Sequence, residues 1–365
     1  PAHPLDIFTS WPYASLTIWY IREGALPKMT IKEIAQICGV SRGTVDRVLN
    51  KRGRVKPQTE ALIMHTIEHM GYTKNIVGRA LTVKRTAPVI GVILCSEGNE
   101  FFDDVIAGFQ KAQAELADYG VSLVLRTMRG HVVEWQLHLI DEIADGLSAL
   151  VIQPINDPRV EARLCKLKAE GIPTVAVNTD IARSCRCCYV GSDYVTGGET
   201  AAGLMHLVTN GQAKLGIITG VNTLMGHMLR LNGFEAHLKK HSPYIQVVAR
   251  DSAQDDHEQA YRATAGMLAS HPEIDALLVV AAGACDVCRA VVDMKREDIR
   301  VVSYDDVPST RAMMKRGIVK AVVCQQPIEQ GYRAFRAAFD MILAGVMNED
   351  EKIIMENQIK ITENL

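Results

Sequence analysis

A small all-α helix-turn-helix headpiece followed by an α/β body of two lobes, each on a doubly wound parallel sheet, is the fold class this sequence predicts. Three observations predict it. Apolar residues recur at helical spacing through 30–70, with Gly39 and Gly71 as breakers. From Pro88 onward, short apolar runs alternate with amphipathic helices, which implies parallel sheets under crossover helices. And 365 residues with 48% hydrophobic content suffice for two or three domains with large cores.

Taken in order, residues 1–28 stand outside this plan. Trp11, Tyr13, Trp19 and Tyr20 make the segment sticky, and no charged stretch leads into an apolar one as a secretion leader requires. The segment is expected not to be part of the native fold, or else to pack as an arm on a partner. Thr30 then reads as a helix N-cap with Glu33 completing a capping box. Ile31, Ile34, Ala35 and Cys38 share one face, and Gly39 suits a left-handed turn. Ser41 caps a second helix with Val45, Val48 and Leu49 inward. Arg42, Gly43, Thr44, Asp46 and Arg47 are left for the outer face. Two short helices joined in this way place the second in the major groove of DNA. Arg42 and Arg47 suit guanine or phosphate, while Gly43 leaves a base-reading position without a side chain. Lys51, Arg52, Arg54 and Lys56, with Thr59, are expected on the phosphates. A third helix starts at Pro57 and faces the others with Ile63, Ile67 and Met70.

The charge is distributed accordingly. Residues 29–86 hold eleven Lys and Arg against four acids, or +7, and residues 1–28 balance. With a total of −2, the body carries −9. A basic head on an acidic body is the footprint of a DNA-binding module joined to a ligand-binding one. No segment approaches the roughly 18 apolar residues that span a membrane.

In the body, runs at 89–94, 121–126, 149–153, 174–178 and 189–190 read as strands of one lobe. Runs at 215–219, 245–249, 276–281, 300–304 and 321–324 read as strands of a second. The first crossover helix is expected over 102–119. Ligands of such sheets sit beyond the strand ends, at the switch points. The residues there are Asn99 to Phe102, Gln153, Asn178, Asp180, Asp305 and Gln325, with Arg230 on a second-lobe helix. An aromatic face at Phe101 or Phe102, plus amide and charged groups, is what a sugar ring and its hydroxyls need.

The motif TIKEIAQICGVSRGTVDRVLN, the basic loop KRGRVKP, a third helix ending at Gly71 and Tyr72, and then Asn75, Arg79 and Leu81 resemble the LacI/GalR family of transcriptional regulators. Residues 29–365 fit that plan end to end. The resemblance implies a headpiece at 29–74, a hinge at 75–87 that becomes helical on DNA, and an effector-binding and dimerisation domain at 88–365 that looks like a periplasmic binding protein. Lobe one would take about 88–193 and 326–347, and lobe two about 194–325 and 348–365. Asn75, Arg79 and Leu81 would enter the minor groove, Leu81 as the wedge between base steps. Gly78 stands where the family has alanine, at about 1 kcal/mol of helix propensity.

NEFF, RLNGF, SYDD and CQQP resemble the contact motifs of ribose-type binding proteins. This carries an effector-binding role to Phe101, Phe102, Gln153, Asn178, Asp180, Arg230, Asp305 and Gln325. Three departures mark the site. Asn178 and Thr179 replace the family's Asp-Arg, its asparagine is lost around 283–285, and a second-lobe aromatic is missing near Ala253.

The cysteines suggest small buried or loop thiols rather than zinc, because Cys185, Cys187 and Cys188 stand about a hundred residues from Cys285 and Cys288. Nine cysteines without a scaffold pattern suit a reducing cytoplasm. Asp255, Asp256 and His257, like Asp305 and Asp306, bring acids together, yet no nucleophile elbow or P-loop accompanies them. The expectation is therefore a cytoplasmic, non-enzymatic homodimer without cofactor or metal, bound to a pseudo-palindromic DNA operator and controlled by a small carbohydrate effector. The tail lacks a leucine heptad that would tether a tetramer. The rival reading, a sugar sensor without DNA function, leaves residues 29–86 unexplained.

Overall fold

The computed structural model describes residues 30–49, 55–69, 76–181, 185–221, 224–254, 256–280 and 282–365. Residues 1–28, Lys51, Arg52, Arg54, Met70 and Asn75 lie outside them. The chain divides into a unit ending at Arg79 and one beginning at Ala80.

The first unit carries α1 (Ile31–Ile37), α2 (Arg42–Leu49) and α3 (Pro57–His69). Thr30 and Glu33 form the reciprocal capping box that starts α1. Ile34, Ala35, Cys38, Val45, Val48 and Ile63 make a buried core, with Ile31, Leu49 and Ile67 packed around it. The helical spacing of these residues thus produces one apolar seam shared by three helices. Helix α4 (Ile76–Thr86) follows. Its Val83 is buried in the core of the first lobe, which anchors the C-terminal end of the helix to the body.

In the first lobe β1 (Val89–Leu94), α5 (Phe101–Glu115), β2 (Ser122–Thr127), α6 (Val133–Ala144), β3 (Ala149–Ile152), α7 (Pro158–Ala169), β4 (Thr174–Val177) and β5 (Cys188–Ser192) succeed one another. The second lobe takes α8 (Tyr194–Thr209), β6 (Ala213–Thr219), α9 (Met225–His241), β7 (Ile245–Ser252), α10 (His257–Ser270), β8 (Ala276–Val279), α11 (Ala284–Asp293), β9 (Arg300–Tyr304), α12 (Pro308–Lys315) and β10 (Val319–Cys324). Helix α13 (Pro327–Ala344) returns to the first lobe, and β11 (Glu351–Met355) and β12 (Gln358–Lys360) end the chain. The first sheet runs β2-β1-β3-β4-β5-β11, all parallel. The second runs β7-β6-β8-β9-β10-β12, with β12 antiparallel. Among the described residues, no helix is long and apolar enough to cross a membrane.

Two expectations need correcting. Residues 348–365 do not all belong to the second lobe, because β11 pairs with β5 in the first. The chain therefore crosses between lobes three times, at Asp193, at Gln325–Gln326 and after Met355. Nor are all the cysteines free thiols, since Cys165 and Cys185 are bonded. Helix α7 and the approach to β5 lie side by side, with Cα atoms 4.9 Å apart, a span a disulfide bridges.

Each lobe is closed by a helix pair at unusually short range. In the second, a Cβ on Gly198 of α8 would lie 2.0 Å from the Arg230 carbonyl oxygen of α9, and one on Gly233 would lie 2.2 Å from that of Val195. Only glycine lets the two backbones approach this closely. Gly198→Ala is expected to push the pair apart and lower stability by roughly 1–3 kcal/mol. Denaturant unfolding checks this, and unchanged stability would count against a tight α8–α9 contact.

Candidate functional site

On α2, Arg42, Gly43 and Arg47 are exposed, and Thr44 and Asp46 are half-buried, while Val45 and Val48 point inward. Ser41 Oγ accepts from the Thr44 backbone N–H at 3.1 Å, capping the helix, and lies 2.9 Å from the Thr44 hydroxyl. Thr44 thus already shares its hydroxyl with the cap. Lys56 is exposed and Thr59 half-buried. Leu81 on α4 is 61% exposed, an unusual display for leucine on a helix whose last turn carries Lys84 and Arg85. Arg79 is half-buried.

In the body, the strand ends of both sheets converge on a cleft of about 120 Å³. Phe101, Phe102, Gln153, Asn178, Arg230, Asp305 and Gln325 all line it. Asp180 does not. Its carboxylate accepts from Arg186 Nε at 2.5 Å and Nη2 at 2.7 Å, and Arg186 also pairs with Asp350. The aspartate after β4 is therefore an anchor for the loop leading to β5, and its expected effector role is corrected.

The apolar wall comes from Phe101 and Phe102, buried and set edge to face with centroids 5.2 Å apart. Asn99 Oδ1 accepts from the Phe101 N–H at 3.1 Å and fixes this entry into α5. Gln153 is buried, and its Oε1 accepts from the Cys95 N–H at 3.0 Å. Gln136 Nε2 donates to the Gln153 carbonyl at 2.9 Å, and Gln136 Oε1 accepts from the Ile155 N–H at 2.9 Å. Gln153 and Gln136 thus shape the cleft floor. Gln136 escaped sequence reading because it sits mid-helix, with no strand end to mark it.

Asn178 adopts φ +64°, a left-handed conformation that asparagine tolerates. Its carbonyl accepts from the hydroxyls of Tyr189, at 3.0 Å, and Tyr194. Burial pushes the Tyr194 phenol up to about 12, so it remains a donor. Arg230 lies between two rings, 3.9 Å from the Tyr304 centroid and 5.0 Å from that of Tyr194. Its Nη1 donates to the Val280 carbonyl at 2.9 Å. These two tyrosines supply the second-lobe aromatic surface that the sequence lacks near Ala253. Asp305, also at positive φ, accepts from Gln325 Nε2 at 2.8 Å. Burial raises its carboxyl to about 6, against the opposing pull of the Arg230 charge.

Among the described residues, buried polar atoms without a partner around this cleft include Arg230 Nη2, Asp305 Oδ1, Gln325 Oε1 and Thr179 Oγ1. Leaving such atoms unpaired costs about 1–3 kcal/mol each. Their combination of one charged donor, two acceptors and a hydroxyl matches a compact molecule bearing several hydroxyl groups. Thr179 was seen in the sequence only as a departure from the family's arginine.

Residues 90–345 match the family described as periplasmic binding protein domain, and residues 30–75 match that of bacterial regulatory proteins, lacI family. The HTH-type transcriptional regulator CelR of Thermobifida fusca is 28% identical over 352 residues, covering 92% of this chain and 98% of that protein. The ribose operon repressor of Halalkalibacterium halodurans is 26% identical, covering 76% and 81%. Among solved structures, GanP, a glucose-galactose binding protein from Geobacillus stearothermophilus, superposes with a TM-score of 0.70 at 25% identity, covering 76% of this chain and 98% of its own.

The raised carboxyl of Asp305 yields a prediction. An acid raised in the fold costs stability above its folded value, and the cost disappears as pH falls towards the unfolded value of 3.8. Asp305→Asn is therefore expected to raise the thermal unfolding midpoint at pH 7.5 and to lose that advantage near pH 4. Parallel melts at the two pH values read this directly, and an advantage that persists at pH 4 would contradict it.

Proposed function

The chain belongs to the lacI family of bacterial regulatory proteins, with a periplasmic binding protein domain as its body, and on that premise we propose that it acts as a homodimeric, cytoplasmic repressor of a carbohydrate uptake or catabolism operon. It is a DNA-binding transcriptional regulator responsive to a sugar, and its relatives are regulators and sugar-binding proteins rather than enzymes. The carrying observation is the coexistence in one chain of a basic stretch, +7 over residues 29–86, with an exposed recognition face, and a cleft onto which Arg230 Nη2, Asp305 Oδ1, Gln325 Oε1 and Thr179 Oγ1 turn unpaired.

In this reading Arg42 and Arg47 read bases or phosphates in the major groove, and Asp46 meets a cytosine amine or pairs with an arginine. Gly43 leaves its base unread, and the Thr44 hydroxyl contributes little. Lys51, Arg52, Arg54, Lys56 and Thr59 hold phosphates. Leu81 enters the minor groove of a pseudo-palindromic operator, flanked by Asn75 and Arg79. The sugar ring stacks on Phe101 and Phe102, while Asn178, Thr179, Arg230, Asp305 and Gln325 bind its hydroxyls over the floor built by Gln153. Among the described residues lining the cleft, Arg230 is the one Lys or Arg, against the carboxylates of Glu97, Glu100 and Asp305. This balance favours an uncharged sugar over a phosphorylated one. Closure of the lobes shifts the first lobe, and with it α4 through buried Val83, by a coupling of about 1–3 kcal/mol.

The test is binding of the full chain to operator DNA from its own gene neighbourhood, with and without neutral sugars. Leu81→Ala is expected to weaken specific binding roughly 10–100-fold, the loss of one buried leucine contact, and to spare non-specific binding. Equal losses in both would sink the wedge. Arg230→Ala combined with Asp305→Ala should abolish the sugar response and leave DNA affinity intact, and a double variant that still responds would place the effector elsewhere.

A further inference from the structure

One pocket-lining side chain lies outside every motif that led to the cleft. His257 opens α10 in the second lobe, and both of its ring nitrogens are engaged. Nδ1 lies 2.5 Å from Asp286 Oδ2 on α11, within the same lobe. Nε2 lies 3.0 Å from the carbonyl oxygen of Gly98, on the β1–α5 loop of the other lobe. Gly98 and His257 both line the cleft. Beside them runs a second lobe-to-lobe contact, in which Glu100 of the first lobe accepts from the backbone N–H of Ser309 at 3.2 Å and from its hydroxyl at 2.5 Å.

The two partners of His257 are both acceptors. A carbonyl oxygen has no proton to give, and an ionised carboxylate has none either. Either neutral tautomer would turn one nitrogen lone pair towards an oxygen. Only the imidazolium satisfies both contacts. We propose that His257 is a positioning residue that latches the two lobes together over the bound sugar, and that it takes up a proton from solvent as the latch closes. The reading rests on the cleft being the effector site.

The surroundings agree. Asp286 is the main neighbour and shares its other oxygen with Arg289 at 3.0 Å. Asp256 and Glu258 flank His257 on its own helix, with Glu258 paired to Arg262. Glu97 and Glu100 face the cleft from the first lobe, and Cys285 faces it from α11. Hydrogen bonds to Asp286 and to Gly98, with the nearby acids, hold the imidazole above its ordinary 6.5 despite partial burial. Asp286 moves with His257, so it raises the open form too. The Gly98 carbonyl alone separates closed from open. The latch is therefore complete at pH 6.5 and below, and is lost as pH rises through the higher value of the closed form.

The experiment titrates the full chain calorimetrically with D-ribose, D-galactose, D-glucose and myo-inositol between pH 6 and 8.5, in buffers of different ionisation heat. Affinity should fall about three- to tenfold over that range, the lower end reflecting solvent screening of a half-exposed imidazole. Net proton uptake should accompany binding near pH 7. In His257→Gln both effects should vanish. An unaltered pH profile in that variant, or binding without proton uptake in the wild type, overturns the latch. If none of the four probes binds, the sugar reading of the cleft falls, and the latch is judged separately. Histidine-selective NMR of the full chain then compares wild type with Ser309→Ala, which loosens the other contact without touching the imidazole. A lower His257 midpoint in the variant supports the latch, and an unmoved one overturns it.

Discussion

The triple crossing between the two sheets is the constraint on which the rest of this molecule depends. The chain passes at Asp193, at Gln325–Gln326 and after Met355, and side chains tie the three passes together. Asn357 Nδ2 donates to the Asp193 carbonyl at 3.0 Å, and Gln326 Nε2 donates to the Glu356 carbonyl at 2.8 Å. Three parallel connections joined across their width resist twisting and sliding but still allow bending. The lobes are thereby left one soft motion, closure of the cleft, and hinge residues that absorb such motion sit at element ends as these do. Gln325 belongs to both devices: it lies on a crossing and presents an unpaired oxygen to the cleft.

Closure also explains why costly arrangements persist in the cleft. Arg230 is buried between rings, Asp305 is held at positive φ with one oxygen unpaired, and Asn178 is held in a left-handed turn by two tyrosine hydroxyls. Each is unfavourable alone, and the surrounding cores over-determine them. The short α8–α9 contact at Gly198 sets the depth of Arg230, so a residue with no side chain governs where the guanidinium lies.

Much of this was legible in the sequence for physical reasons. Capping boxes, glycine breaks and apolar runs act locally, so the headpiece helices and ten strands of the body could be read residue by residue. Strand-end residues were legible because parallel sheets expose them at one edge. The errors arose where a contact made only in the folded chain, rather than a local pattern, decides what a residue does. Asp180 has the pattern of a ligand until Arg186 is folded against it across the turn into β5. The edge strand β11 follows the last helix with no crossover after it, so nothing local assigned it to the first sheet. Tyr304 read only as a strand end and Tyr194 carried no signal of its own, and only tertiary packing stacks both on Arg230. His257 looked like part of an acidic cluster until the second lobe met the first.

Gly43 has a further consequence. A Cβ there would meet nothing closer than Ser41 Oγ at 3.7 Å and Arg47 Nη2 at 3.9 Å, so the recognition face has an open position that tolerates larger residues. A side chain added at that point gains helix propensity and leaves the headpiece core untouched. Under the function proposed above, operator choice is thus separable from the sugar cleft. On the proposed reading, a single substitution at this one position changes what the recognition face presents to DNA while every residue of the cleft, the crossings and the α4 anchor stays as it is.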